Sequence, residues 1–263
     1  MKVAFIAPVN ALTYWGGITD YHMALTHLVL SNQAYRHFYW HKSRSGHYVI
    51  LDNSVIELGA SVEFNTLVSA AKLIEAKEII LPDVLDDSAA TLKRAKECLY
   101  YAKHEGLTSK FRFMVVPQGK TLQEWIESYN DLKDLGVWSI GIPKRLGRLY
   151  RTSDKKEQAI GRAHVLYYLC THDLIDTRRV HHLLGIYDNP VEIKVLSAYD
   201  WIRGVDSQLP FWAAANGIRF HPEKGLLERR NGRNIILDDD VKLDDDIVGH
   251  NILCMLRWAN WWS

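Results

Sequence analysis

Along the chain, short apolar runs alternate with longer stretches in which apolar positions recur every three or four residues. The runs that read as strands are VAFIAPV from Val3, HLVLS from His27, YVILD from Tyr48, EIILPD from Glu78, FRFMVVPQ from Phe111, WSIGIP from Trp138, HHLLGI from His181, and a last segment approaching GVD at Gly204. Several are continuous rather than alternating, as expected of strands buried on both faces of a parallel sheet. Between them, helical periodicity runs through FNTLVSAAKLIEA from Phe64, SAATLKRAKECLYYAKHEG from Ser88, TLQEWIESYNDLKDLG from Thr121, KEQAIGRAHVLYYLCTH from Lys156 and NPVEIKVLSAYDWI from Asn189. Two helices carry start signals: Asp87-Ser88 before the second, and Thr121 with Glu124 at capping-box spacing before the third.

Eight strands with helical crossovers predict an α/β fold of the (β/α)8 TIM-barrel type. The rival is an open doubly wound sheet, which calls for a glycine-rich phosphate loop after the first strand. PVNALTYWGGIT from Pro8 has neither GxGxxG nor GxxxxGK[ST]. After Pro210 the rhythm changes, and HPEKGLLERRNGRNIILDDDVKLDDDIVGH reads as a hairpin or irregular segment before a final helix, NILCMLRWANWW. The expected organisation is a barrel over residues 1–212 with a short C-terminal hairpin/helix appendage over 213–263, packed on the barrel rather than independent.

Composition narrows the function classes. The 263 residues are 48% hydrophobic, enough for a full core, and 32 basic against 31 acidic residues leave a formal charge of +1. Nucleic-acid contact would therefore need a local basic face. Cys98, Cys170 and Cys254 form no CxxC or Cys/His cluster, which predicts reduced thiols in a cytoplasmic protein and no metal site. The apolar run of MKVAFIAPVNAL closes at Pro8 and Asn10, so it reads as a strand rather than a signal peptide, and no stretch suits a membrane span.

In a barrel, chemistry gathers at the C-terminal ends of the strands. Read in order, those ends offer Asp52, Asn53 and Ser54 after the third strand, Asp83 after the fourth, Gln118 and Gly119 after the fifth, Gly141 and Lys144 in the sixth, Gly185 after the seventh and Asp206 in the eighth. A lone strand-end Asp is more often a helix cap than a catalyst, and Asp86 and Asp87 read as caps. Three aspartates and a glutamine expected at one mouth are a different matter. A carboxylate and a Gln amide together meet donor and acceptor edges of a polar heterocycle such as guanine. Two further carboxylates can divide a substitution at a sugar carbon, one attacking and the other moving protons.

These segments resemble the tRNA-guanine transglycosylase superfamily, (β/α)8 barrels that exchange guanine for a 7-deazaguanine. LDNS at Leu51–Ser54 is similar to its Asp-Ser-Gly-Gly motif, Asp83 to its base-binding Asp, PQG at Pro117–Gly119 to its VQG, and IGI at Ile140–Ile142 to its VGE. LLGIYDNP at Leu183–Pro190 looks like its LMGVGTP, VDSQLP like its Phe-Asp-x-x-Leu-Pro nucleophile motif, and HLVLSNQAY like its LGNTYHL. The match spans Ala24 to Pro210 with the motifs in order. The chain lacks the three-Cys, one-His zinc set of the tRNA enzymes and has no Gly-Gly after Asn53. It is therefore most similar in character to the compact, zinc-free phage and bacterial enzymes that place 7-deazaguanines in DNA.

The resemblance implies a glycosyltransferase with Asp206 as nucleophile and Asp52 as general base and acid. Asp83, Gln118, Gly141, Asn53 and Ser54 would hold the base. Lys144, Arg145 and Arg148, with Arg151, Arg229, Arg230 and Arg233 further on, would contact phosphates. It implies no cofactor and no metal. The partners would be DNA rather than tRNA and a free 7-deazaguanine, with a homodimer as a candidate assembly and host cytoplasm as the location if phage-encoded.

Three rivals stand beside it. A DNA glycosylase of the same fold would leave an abasic site. A metal-dependent hydrolase is disfavoured because adjacent strand residues point oppositely, so His181 and His182 cannot both face the centre, and the pair reads as packing. An inert binding module could rest on Trp258, Trp261 and Trp262, which read as packing or interface residues.

Overall fold

The computed structural model describes residues 1–150, 160–186, 189–227 and 232–260. Arg151, Arg229, Arg230, Trp261 and Trp262 lie outside the described residues. Eight parallel strands alternate with helices in the (β/α)8 TIM-type topology: β1 (Lys2–Phe5), β2 (Tyr21–Leu25), β3 (Tyr48–Asp52), β4 (Glu78–Ile80), β5 (Arg112–Val115), β6 (Ser139–Pro143), β7 (Val180–Leu184) and β8 (Ile202–Ser207). The sheet order is β1-β8-β7-β6-β5-β4-β3-β2. Most strand positions are buried, which accounts for the continuous apolar runs.

The second strand is a correction. HLVLS is not a strand but lies in the helix Thr26–Ser31, and β2 is the preceding YHMAL, buried at all five positions. A short apolar run does not declare its period, and here a strand and a helix follow each other with only Thr26 and His27 between their apolar residues. The helix Gln33–Arg44 carried no apolar pattern strong enough to predict it. Its buried positions are Tyr35, Tyr39 and Ser43, one stripe at helical spacing, and Asn32 caps it by accepting from the Tyr35 N–H at 3.0 Å.

The caps that were read from sequence divide. Asp87 accepts from Ala90 N at 2.9 Å, and Thr121 from Glu124 N at 3.2 Å, while Glu124 reaches back to Lys120 N at 2.7 Å. The N-cap residue of the helix Ser88–His104 is Asp87; Asp86, before it, sits at φ 61°, and its N–H donates to Gln118 Oε1 at 3.3 Å.

The chain packs as two compact units, Met1–Thr19 with Lys144–Arg178 and His182–Ser263, and Asp20–Pro143 with Arg179–His181. In the first unit, the segment after β8 is tied to its surroundings by directed bonds. Asn251 accepts from Phe220 N at 2.8 Å and donates to Ile218 O at 3.0 Å; Trp258 Nε1 donates to Pro222 O at 2.7 Å. Trp258 is buried against Phe220, a packing residue as its spacing suggested. The last helix, Asp245–Trp258, starts earlier than its apolar run because Asp244 accepts from Asp246 N and Ile247 N. Among the described residues no helix is long and apolar enough to cross a membrane.

Candidate active site

The two units each hold one buried carboxylate cluster at the C-terminal ends of their strands. In the unit Asp20–Pro143 it centres on Asp83, just beyond β4 and 3% exposed. Asn53 Nδ2 donates to its Oδ1 at 2.6 Å and Gln118 Nε2 to its Oδ2 at 2.5 Å. Each amide is itself fixed: Asn53 also donates to Leu81 O at 2.8 Å and accepts from Val55 N at 3.1 Å, and Gln118 Oε1 accepts from Asp86 N. Ser61 Oγ, which sequence reasoning missed, donates to Asp83 O at 2.6 Å.

Burial pushes the Asp83 carboxyl up to about 6, against the pull of the Asn53 and Gln118 amides, which favour the anion. The hydrogen-bonded carboxyl is pre-formed, and its burial disfavours the anion. A carboxylate has about four lone-pair sites, so the two amides do not exhaust its acceptor capacity. Asn53, Asp83 and Gln118 are thus brought together as one network.

Asp52, the last residue of β3, is half-buried. Its Oδ2 accepts from Ser54 N at 2.7 Å, and its carbonyl accepts from Thr26 Oγ1 at 2.5 Å. Ser54 is fully buried at φ 57°, a left-handed conformation costing an L side chain about 1 kcal/mol or more. Its Oγ lies 2.9 Å from His27 Nδ1. Ser54 thus engages His27 through its hydroxyl and Asp52 through its backbone N–H. His27 stood inside a run read as a strand, so nothing in the sequence marked it.

In the other unit Asp206 lies near the end of β8 and is 7% exposed. Its Oδ1 accepts from His182 Nε2 at 3.0 Å and from Gly185 N at 3.2 Å. A carboxylate only accepts, so His182 carries its proton on Nε2 here. Both rings of the His pair are fully buried, and His181 stacks on Tyr129 as packing predicts, but each ring also makes a directed bond. His182 bonds the candidate nucleophile, and His181 donates from Nδ1 to Arg179 O at 3.0 Å and meets Tyr129 OH at 3.1 Å. The two rings do take different partners, as strand alternation requires. Behind Asp206, Ser207 Oγ accepts from Leu209 N at 3.0 Å and Pro210 opens the helix Leu209–Ala215, which ends the strand.

Gly141 is a buried mid-strand residue of β6. Lys144, Arg145 and Arg148 fall in the 3-10 segment Lys144–Leu149, with Arg148 exposed and the other two half-buried. Lys144 lies against Gly185: a Cβ built there would meet its Cδ at 3.0 Å and its Nζ at 3.6 Å. Its ammonium group thus belongs beside the peptide that binds Asp206. Arg233 is exposed and far along the chain in the segment before the last helix. Among the described residues no group of three or more His, Cys, Asp or Glu is placed to hold a metal ion.

No known family model matches the chain, and no curated protein matches it.

Proposed function

We propose that the protein exchanges guanine in DNA for a 7-deazaguanine through a covalent aspartyl-sugar intermediate. The observation that carries this reading is the asymmetric hold on Asp206. Oδ1 takes both donors, and among the described residues no hydrogen bond engages Oδ2, which leaves that oxygen for bond formation.

In the first half-reaction Asp206 Oδ2 bonds to C1′ of the target nucleotide as the C1′–N9 bond breaks. The bond's electron pair goes to guanine, which leaves neutral after taking a proton from Asp52. In the second, Asp52 takes the ring N–H proton of the incoming 7-deazaguanine while that nitrogen bonds C1′ and expels the Asp206 carboxylate. One glycosidic bond replaces another, and the proton count closes. Asp83, with Asn53 and Gln118, supplies the acceptor for the donor edge of the base. The target must leave its stack or be single-stranded for its C1′ to be reached.

The test is incubation with labelled guanine or a 7-deazaguanine and either DNA or tRNA. Label is expected in DNA, and Asp206→Ala abolishes incorporation. Incorporation into tRNA alone replaces the polymer in this reading. Base release with no incoming base, leaving an abasic site, replaces exchange by hydrolysis. Full exchange by Asp206→Ala defeats the mechanism.

A further inference from the structure

We infer that the buried Arg162–Glu192 ion pair is a positioning device for Asp206, acting through the Gly185 peptide to present Oδ2 to the substrate sugar. This rests on the reading of Asp206 as nucleophile.

Arg162 and Glu192 are 2% and 4% exposed. Arg162 Nη2 meets Glu192 Oε1 at 2.5 Å, and Nε meets Oε2 at 3.3 Å, a two-point pairing. Two guanidinium contacts reach one peptide segment: Nη1 donates to Leu184 O at 3.2 Å and Nη2 to Gly185 O at 2.8 Å. Those carbonyls close β7. Gly185 stands at φ +65°, where an L side chain is strained, and the turn directs its N–H to Asp206 Oδ1 at 3.2 Å.

Burying such a pair is a poor way to gain stability, since apolar residues of similar volume often do as well. What the pair offers instead is direction, because a planar fork fixes two carbonyls at once. The base of the fork is fixed too. Gly161 and Gly147 are in such close contact that a Cβ on Gly161 would lie 2.5 Å from Gly147 O, which pins the start of the helix Gly161–Thr171 carrying Arg162. The chain of support runs from ion pair to strand end to peptide N–H to Oδ1. With Oδ1 held from two sides, the carboxylate cannot swing, and Oδ2 keeps one direction.

The test uses the full chain and two variants, Arg162→Lys, which keeps the charge but loses the fork, and Glu192→Gln. The first readout is the Gly185 amide proton followed by NMR through a pH titration. In the wild type it shifts with the ionisation of the Asp206 carboxyl, and in Asp206→Asn that shift disappears. If the wild-type Gly185 amide does not follow Asp206, the inference is wrong whatever the variants do. In either variant that folds, the amide is expected to lose most of that coupling. The second readout is base exchange: kcat should fall on the order of 10²-fold with KM little changed, the signature of a displaced reacting group. Variants that lose thermal stability while the Gly185 amide still follows Asp206 would reduce the pair to a structural role and overturn the inference. A wild type that exchanges no base would remove the proposed function alone and leave the NMR result to decide positioning.

Discussion

The Asp83 and Asp206 carboxylates are both buried at the ends of parallel strands, and they are held in opposite ways. Asp83 has an amide on each oxygen, Asn53 on one and Gln118 on the other. Asp206 has an imidazole and a peptide N–H on one oxygen. Fencing both oxygens with neutral dipoles makes a fixed acceptor whose burial raises its pKa. Gathering two donors on one oxygen makes an oriented group with a second oxygen to spend. Under the proposed function the difference separates recognition from reaction, and it can be attacked from either side.

The largest effect should come from Asp206→Asn, which keeps the shape and removes the proposed nucleophile. Base exchange should drop by at least about 10³-fold, with no covalent protein–DNA adduct on a denaturing gel. Asp83→Asn should leave adduct formation possible but weaken base binding, raising KM for the incoming base roughly 10-fold to 100-fold for a lost charge-assisted bond. If the two variants exchanged these phenotypes, the division of roles would be reversed. His182→Phe should be intermediate. Oδ1 keeps only the Gly185 N–H, and kcat is expected to fall by about 10-fold to 100-fold with the fold retained in circular dichroism.

Smaller effects probe stability. Gln118→Ala leaves a buried Asp83 oxygen without its donor, and denaturant titration should register a loss of about 1–3 kcal/mol.

The pH dependence carries two opposed signatures. Asp83 has a folded pKa near 6 against an unfolded value near 3.8, so the fold binds more protons than the unfolded chain in that window. Its contribution is full below the lower value and is lost as pH rises through about 6. His22 is the reverse: burial, then the neighbouring His47, lowers it from 6.5 to about 3, and its contribution is lost as pH falls below 6.5. His22→Phe should therefore flatten the acid limb of stability between about pH 6.5 and 3. Asp83→Asn should remove the decline between about pH 4 and 6. Because the two windows overlap, a melting curve against pH in which either substitution changed the slope in the opposite sense would contradict the assignment.

The alternation of apolar runs and amphipathic stretches was enough to determine the (β/α)8 architecture, because strands buried on both faces have no polar side to show. It was enough also to put Asp52, Asp83, Gln118 and Asp206 at strand ends, since the chemistry-bearing residues sit where the apolar runs stop. Periodicity failed where it is weakest. YHMAL and HLVLS are separated by Thr26 alone, and only packing distinguishes strand from helix there. It also passed over Gln33–Arg44, whose buried stripe is aromatic and polar rather than aliphatic.

Tertiary structure alone decided which partners the carboxylates have. His182 reaches Asp206 across 24 positions of sequence, and Gln118 reaches Asp83 across 35. Local pattern encodes which way a side chain points along its own strand. Which donor it then meets depends on strand register and on turns such as those at Ser54 and Gly185, and these are fixed by packing between segments distant in the chain.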